Sequence, residues 1–180
     1  MNLCVYGASS DRIDPVYLEA GKRLGEELAR RGHTLVFGGG TTGMMGAAVR
    51  GTERLGGRSI GVSPKFFDLP GVLHQGCSEM IFTETMRQRK EIMEQRADGF
   101  IMTPGGIGTY EEFFEILTLK QLGRHEKPIG ILNTAGYFDD LARLLQDTAE
   151  KGFMHTDCLQ LYFITDDVNE LLDYMEGSSE

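Results

Sequence analysis

Cysteine is scarce in this sequence, and its scarcity excludes two kinds of scaffold. The three cysteines, Cys4, Cys77 and Cys158, stand far apart. An odd, scattered set does not make a disulfide framework, and no pair has the spacing of a metal site. They read as small buried hydrophobes in a reducing compartment. Basic residues are in deficit too: 18 Lys and Arg face 27 Asp and Glu, for a net charge of −9. That balance opposes a general nucleic-acid binder, whose surface is usually basic. No apolar run approaches the roughly 20 residues that a membrane-spanning helix needs. The opening MNLCVYGASSD reads as a first strand and not as a signal peptide. A cytoplasmic protein with neither membrane nor nucleic acid as partner is therefore expected. Two nucleotide-binding signatures are missing as well. The first glycine turn, from Gly7 to Asp11, lacks GxGxxG, and no turn ends in Gly-Lys-Ser/Thr. A hydride-transferring dehydrogenase and a P-loop NTPase both lose ground.

What is present is a regular alternation. Short apolar runs begin at Leu3, Thr34, Arg58, Glu79, Gly99, Pro128 and Leu161. They are nearly continuous, as strands covered on both faces of a parallel sheet are. Between them lie stretches with helical spacing. One runs from about Pro15 to Arg31, and others start near Gly43, Thr85, Tyr110, Tyr137 and Asp166. The expected fold is α/β: a Rossmann-like, doubly wound parallel sheet of about seven strands flanked by helices. Residues 1–180 are expected to form one domain, long enough to hide roughly 70% of the unfolded surface. Residues 63–79 read as a long loop, a kind often functional or mobile. The tail EGSSE, 176–180, is expected to fray.

In such sheets ligands bind beyond the carboxyl ends of the strands. Three turns rich in small residues fall there: GASSD (7–11), GGGTTGMMG (38–46) and PGGIGT (104–109). Five glycines in nine residues of the second turn serve either close packing or the approach of a ligand. The third turn leads into two acids, Glu111 and Glu112. Its amides and the positive end of the helix beginning near Thr109 suit a phosphate. Thr109 followed by Glu112 also matches a capping box. On that reading Glu112 folds back onto its own helix; on the other it meets a substrate. The two roles conflict, and the residues alone leave both open.

A second stretch bears on the choice. TETMRQRKEIMEQRA, 83–97, is helical in composition, with Met86, Met93 and Ala97 on one stripe. Arg89 and Lys90 fall within roughly 60° of Met86 on the same stripe. Cations on a buried face need a partner or a route to water. Lys90 can snorkel, whereas Arg89 suits a bidentate carboxylate or phosphate.

Together MRQRK (86–90) and PGGIGTYEE (104–112) resemble the family of cytokinin riboside 5′-monophosphate phosphoribohydrolases, once widely labelled lysine decarboxylases. The family motif PGGxGTxxE is matched at every fixed position. Further similarities lie at 38–46, 121–133 and 136–141, so the resemblance covers nearly the whole chain. It implies cleavage of the N-glycosidic bond of a nucleoside 5′-monophosphate, AMP or a cytokinin ribotide, to free base and ribose 5-phosphate. It assigns catalysis to Arg89 and Glu112. Substrate contacts fall to Lys90, Gly105, Gly106, Ile107, Gly108, Thr109, Glu111 and Thr118. It implies a homodimer and neither metal nor cofactor. If Arg89 and Glu112 are close, Arg89 should depress the Glu112 pKa. The chain departs from many members at Arg87, where they carry histidine, and at Leu119, where they carry an aromatic.

Two other readings compete. Molybdenum-cofactor carriers resemble this family in fold and in the PGG turn, and bind a phosphorylated ligand without cleaving it. A pure carrier has no need of Glu112. A DNA-processing protein on a related domain is opposed by the acidic charge.

Overall fold

A computed structural model describes residues 1–177. Residues 178–180, the end of the tail expected to fray, lie outside them. Seven parallel strands form the sheet: β1 (Asn2–Tyr6), β2 (Thr34–Phe37), β3 (Arg58–Pro64), β4 (Glu79–Thr83), β5 (Gly99–Met102), β6 (Ile129–Leu132) and β7 (Phe163–Thr165). Their spatial order is β4-β3-β2-β1-β5-β6-β7. The winding reverses between β1 and β5, which pair in parallel from Leu3↔Gly99 to Tyr6↔Met102. A crevice opens at such a reversal, beyond the strand ends. The first and third glycine turns leave β1 and β5 there.

Six α-helices among the described residues cover the sheet: α1 (Pro15–Arg30), α2 (Gly43–Arg54), α3 (Met86–Arg96), α4 (Ile107–Gln121), α5 (Asp139–Glu150) and α6 (Val168–Gly177). Because strand side chains alternate, the sheet supports two cores. Cys4, Tyr6, Val62 and Phe100 face Met93, Phe113 and Leu141 of α3, α4 and α5. Leu3, Val5, Leu35 and Phe37 face Leu24, Val49 and Leu171 of α1, α2 and α6. Both faces are therefore dry, which is why the strands read as apolar runs. Each fully buried Leu or Phe contributes about 1.5–3 kcal/mol.

The helix starts show local chemistry at work. Asp14 accepts from the Val16 amide at the head of α1, with Pro15 at its first position. At the head of α3, Thr85 Oγ1 accepts from the Gln88 amide (3.2 Å) and Gln88 Oε1 accepts from the Glu84 amide (2.9 Å). This reciprocal capping matters, because α3 is otherwise polar and buries only Arg89 and Met93. Met86, expected on the buried stripe, is 41% exposed at the first position of the helix. The long loop does follow β3. It is pinned to the second glycine turn by Thr41 N–H to the Val72 carbonyl and His74 N–H to the Gly39 carbonyl. His74 Nε2 also lies 2.7 Å from Glu53 Oε1 of α2.

Candidate active site

The third turn is fixed from three sides before α4 begins. Thr103 Oγ1 donates to the Tyr6 carbonyl (2.8 Å), the Ala8 amide to the Pro104 carbonyl (3.0 Å), and the Tyr137 hydroxyl to the Gly105 carbonyl (2.7 Å). These bonds end the turn early. Gly106 is the N-cap, Ile107 opens the helix, and no side chain caps it. The capping box expected from Thr109 and Glu112 is therefore not formed. Thr109 is already inside the helix and buried, packed so closely on Gly105 that a Cβ there would overlap its hydroxyl. Glu112 lies a further turn along, free of the terminus. The first-turn amides of α4 have no side-chain partner and stand open to an anion.

Gly106 and Gly108 are informative for what they do not need. Neither has positive φ, and a Cβ on either would meet nothing within 4 Å. Backbone strain and packing within the chain do not explain them, and the space beside each is open. The second turn behaves oppositely. Gly43 has φ +65°, and a Cβ there would strike the Ala8 carbonyl; one at Gly38 would strike the Arg89 guanidinium. Those glycines are required by the fold and by the seating of Arg89.

Arg89 and Glu112 meet. Arg89 Nη1 donates to Glu112 Oε1 at 2.7 Å, and Arg89 Nε donates to the Val62 carbonyl at 3.2 Å. Their side chains are only 10% and 11% exposed. α3 packs against β1–β4 and α4 against β1, so the two helices meet beside the reversal of the sheet. The expected depression of the Glu112 pKa is not found. Burial raises it above 4.5, and the charge and hydrogen bond of Arg89 pull it down without cancelling that rise. Cys4 feels the charge of both residues, but burial pushes its thiol up to about 12. It is inert as a nucleophile at neutral pH.

The remaining expected contacts divide. Gly105 and Thr109 are buried beneath the turn, while Gly106, Ile107 and Gly108 are exposed at its rim. Lys90 forms ion pairs with Glu111 and, at 2.7 Å, with Glu115. Burial would lower the Lys90 pKa, but the hydrogen bonds and charge of these acids outweigh it and raise it. Thr118 is exposed almost two turns beyond Glu112 and does not reach the pair within one chain. It shares a stripe of α4 with Ile107, Glu111, Phe114 and Leu122.

Beside Arg89 a cavity of about 360 Å³ opens between the second turn and the long loop. Met45, Phe67, Val72, Leu73 and Met86 give it apolar walls; Ser9, Thr42, Ser63 and Arg89 add polar groups. The Met44–Met45 pair separates, Met44 into the core and Met45 into this wall. Sequence reasoning missed Phe67, Ser63 and the Val62 carbonyl. The only signal for them was the length of the loop. Of the pair, Arg89 lines this cavity, and Glu112 stands on the helix that the uncapped turn opens; a carboxylate held by a guanidinium can stabilise a developing cation or accept a proton. Among the described residues, no group of three or more His, Cys, Asp or Glu is placed to hold a metal.

The family described as Possible lysine decarboxylase matches residues 45–175. A probable cytokinin riboside 5′-monophosphate phosphoribohydrolase of Oryza sativa subsp. japonica is 38% identical over 97% of this chain and 78% of its own length. The cytokinin riboside 5′-monophosphate phosphoribohydrolase of Mycobacterium tuberculosis is 37% identical over 86% of this chain and 83% of its own. The molybdenum cofactor carrier protein of Chlamydomonas reinhardtii shares the fold, with TM-score 0.75 and 22% identity over 98% of this chain and 96% of that one. By the extent of these matches, the chain belongs to the possible lysine decarboxylase family, that of the cytokinin riboside 5′-monophosphate phosphoribohydrolases.

Proposed function

We propose that the protein hydrolyses the N-glycosidic bond of a nucleoside 5′-monophosphate, releasing free base and ribose 5-phosphate. The observation that carries this reading is the buried Arg89–Glu112 pair, whose arginine lines a cavity with apolar walls and whose glutamate stands on the helix with the uncapped terminus. The relatives' names supply the reaction class. The 5′-phosphate is received by the amides from Gly105 to Thr109. Anchored there, the sugar presents its anomeric carbon to Glu112, so binding remote from the bond positions the reacting centre. As the bond breaks, positive charge grows on the sugar, as in glycoside hydrolysis. The Glu112 carboxylate stabilises it and accepts a proton from the water whose oxygen bonds to the anomeric carbon, while the departing base keeps the electron pair of the broken bond and takes up a proton from solvent. Arg89 holds that carboxylate in place and directs its remaining N–H groups into the cavity. The apolar walls favour a base with an apolar substituent, each buried methylene adding about 0.8 kcal/mol. A cytokinin ribotide is therefore the preferred substrate over AMP.

Lys90, Glu111 and Thr118 fit this scheme if a second copy covers the outer stripe of α4. Ile107 at 89% and Leu122 at 65% exposure are apolar residues awaiting such a cover. The resemblance implies a homodimer, for which that stripe offers a surface, and a monomeric mass in solution would contradict it.

Incubation with AMP and with N6-isopentenyl-AMP tests the reaction. Free base and ribose 5-phosphate are expected, faster from the prenylated nucleotide. Saturable binding without product would instead favour a carrier, the reading suggested by the shared fold alone. A companion test uses the open glycines. Gly108→Ala is expected to raise stability by up to about 1 kcal/mol, since alanine is the better helix former. The added methyl intrudes where the phosphate sits, so affinity for ribose 5-phosphate should fall. A variant that melts higher and binds as well as wild type would remove the phosphate from this turn.

A further inference from the structure

One polar group in the cavity is unspent. Ser63, the penultimate residue of β3, is fully buried, and among the described residues its Oγ has no hydrogen-bond partner. Buried hydroxyls are normally paired, and an exception asks what else meets it. Two of its polar neighbours in the wall already have partners. Thr42 donates its hydroxyl proton to the Ser9 carbonyl (2.6 Å), and Arg89 donates to Glu112 and to the carbonyl of Val62, the residue before Ser63. The other surroundings of the cavity are mainly apolar: Met45, Phe67, Val72, Leu73 and Met86. A hydroxyl that both donates and accepts, without a partner in a mainly apolar wall, suits a ligand with a donor and an acceptor on one planar edge.

Resting on the nucleotide reading above, we propose that Ser63 is a hydrogen-bonding contact for the nucleobase and fixes its orientation as the N-glycosidic bond breaks. A purine edge offers such a donor and acceptor in its exocyclic nitrogen and an adjacent ring nitrogen. Ser63 shares a wall with Arg89, so a base bonded to it lies beside the reacting pair. The phosphate, at the head of α4, is received by a different element. The chain thus divides recognition: the third turn takes the phosphate, and the end of β3 takes the base.

This division gives the test. Ser63→Ala should weaken binding of AMP and of N6-isopentenyl-AMP by about 3- to 10-fold, the range for one neutral hydrogen bond. Binding of ribose 5-phosphate, which has no base, should be unchanged. The melting temperature should not fall, because the substitution removes an unmet polar group. Ser63→Cys keeps the size with a weaker donor and should lose less affinity than Ser63→Ala. Nucleotide binding unchanged in Ser63→Ala overturns the contact. So does an equal loss for nucleotides and ribose 5-phosphate, which would mark a general disturbance of the site. If the wild type neither binds nor cleaves either nucleotide, the reaction itself is refuted, and the contact falls with it. The two failures are read from different proteins and cannot be confused.

Discussion

Glu112→Gln will lower the rate of base release by about 10²- to 10⁴-fold, the range for losing a positioned acid–base or electrostatic group. Glutamine keeps the shape of the side chain and can still accept from Arg89 Nη1. It cannot carry the negative charge that opposes the sugar cation, nor take a proton from water. Binding of ribose 5-phosphate, which depends on the head of α4, should stay near wild type. Single-turnover release of base, set beside a binding titration, separates the two effects. The pH profile gives an independent sign. The active form is the carboxylate, and burial raises the Glu112 pKa above 4.5. Activity of the wild type should therefore fall as pH drops through that raised value, earlier than an exposed glutamate would allow. The residual rate of Glu112→Gln should lack this limb. A glutamine variant that turns over at the wild-type rate would remove Glu112 from the chemistry.

Much of this could be read along the chain, for identifiable reasons. The strands were visible because both faces of the sheet are dry, so each strand must be an apolar run. Even so, the run from Leu161 yields a strand only at Phe163–Thr165, since Leu161 and Tyr162 belong to the preceding turn. Arg89 was legible from helical periodicity: a cation on the stripe of Met93 and Ala97 had to find a partner. The start of α4 was not legible. Gly106 and Thr109 are both good caps, and local preference does not choose between them. The choice is made by Tyr6, Ala8 and Tyr137, which bond the turn from distant parts of the chain. The direction of the Glu112 pKa was hidden for a similar reason. A sequence shows which charges could pair, but not how much water they lose on pairing. Ser63 and Gly38 owe their significance to what β3 and the second turn enclose, and that is set by the register of strands far apart in sequence.

The cost of that lost water makes Arg89→Met the other large effect, on stability as well as rate. Methionine fills the space of the arginine stem but leaves Glu112 buried without its cation. Removing one partner of a buried ion pair costs about 3–5 kcal/mol, because the remaining charge is uncompensated. That loss depends on pH with a definite sign. Burial already raises the folded-state pKa of Glu112, and Arg89 is its main opposing influence. Without Arg89 the folded pKa rises further above the unfolded value. A raised carboxyl favours the folded state only while it is protonated. The variant should therefore approach wild-type stability below about pH 4.5, and lose ground as pH rises toward the new folded value. Denaturant melts at several pH values measure this directly. Adding Glu112→Gln to Arg89→Met removes the stranded charge and should recover most of the neutral-pH stability, with no recovery of base release. A single variant equally destabilised at all pH values would mean that Arg89 supports the fold by packing and not by charge. Restored stability with abolished turnover in the double variant would mean that the pair is kept for its chemistry, at a cost the fold alone would not select.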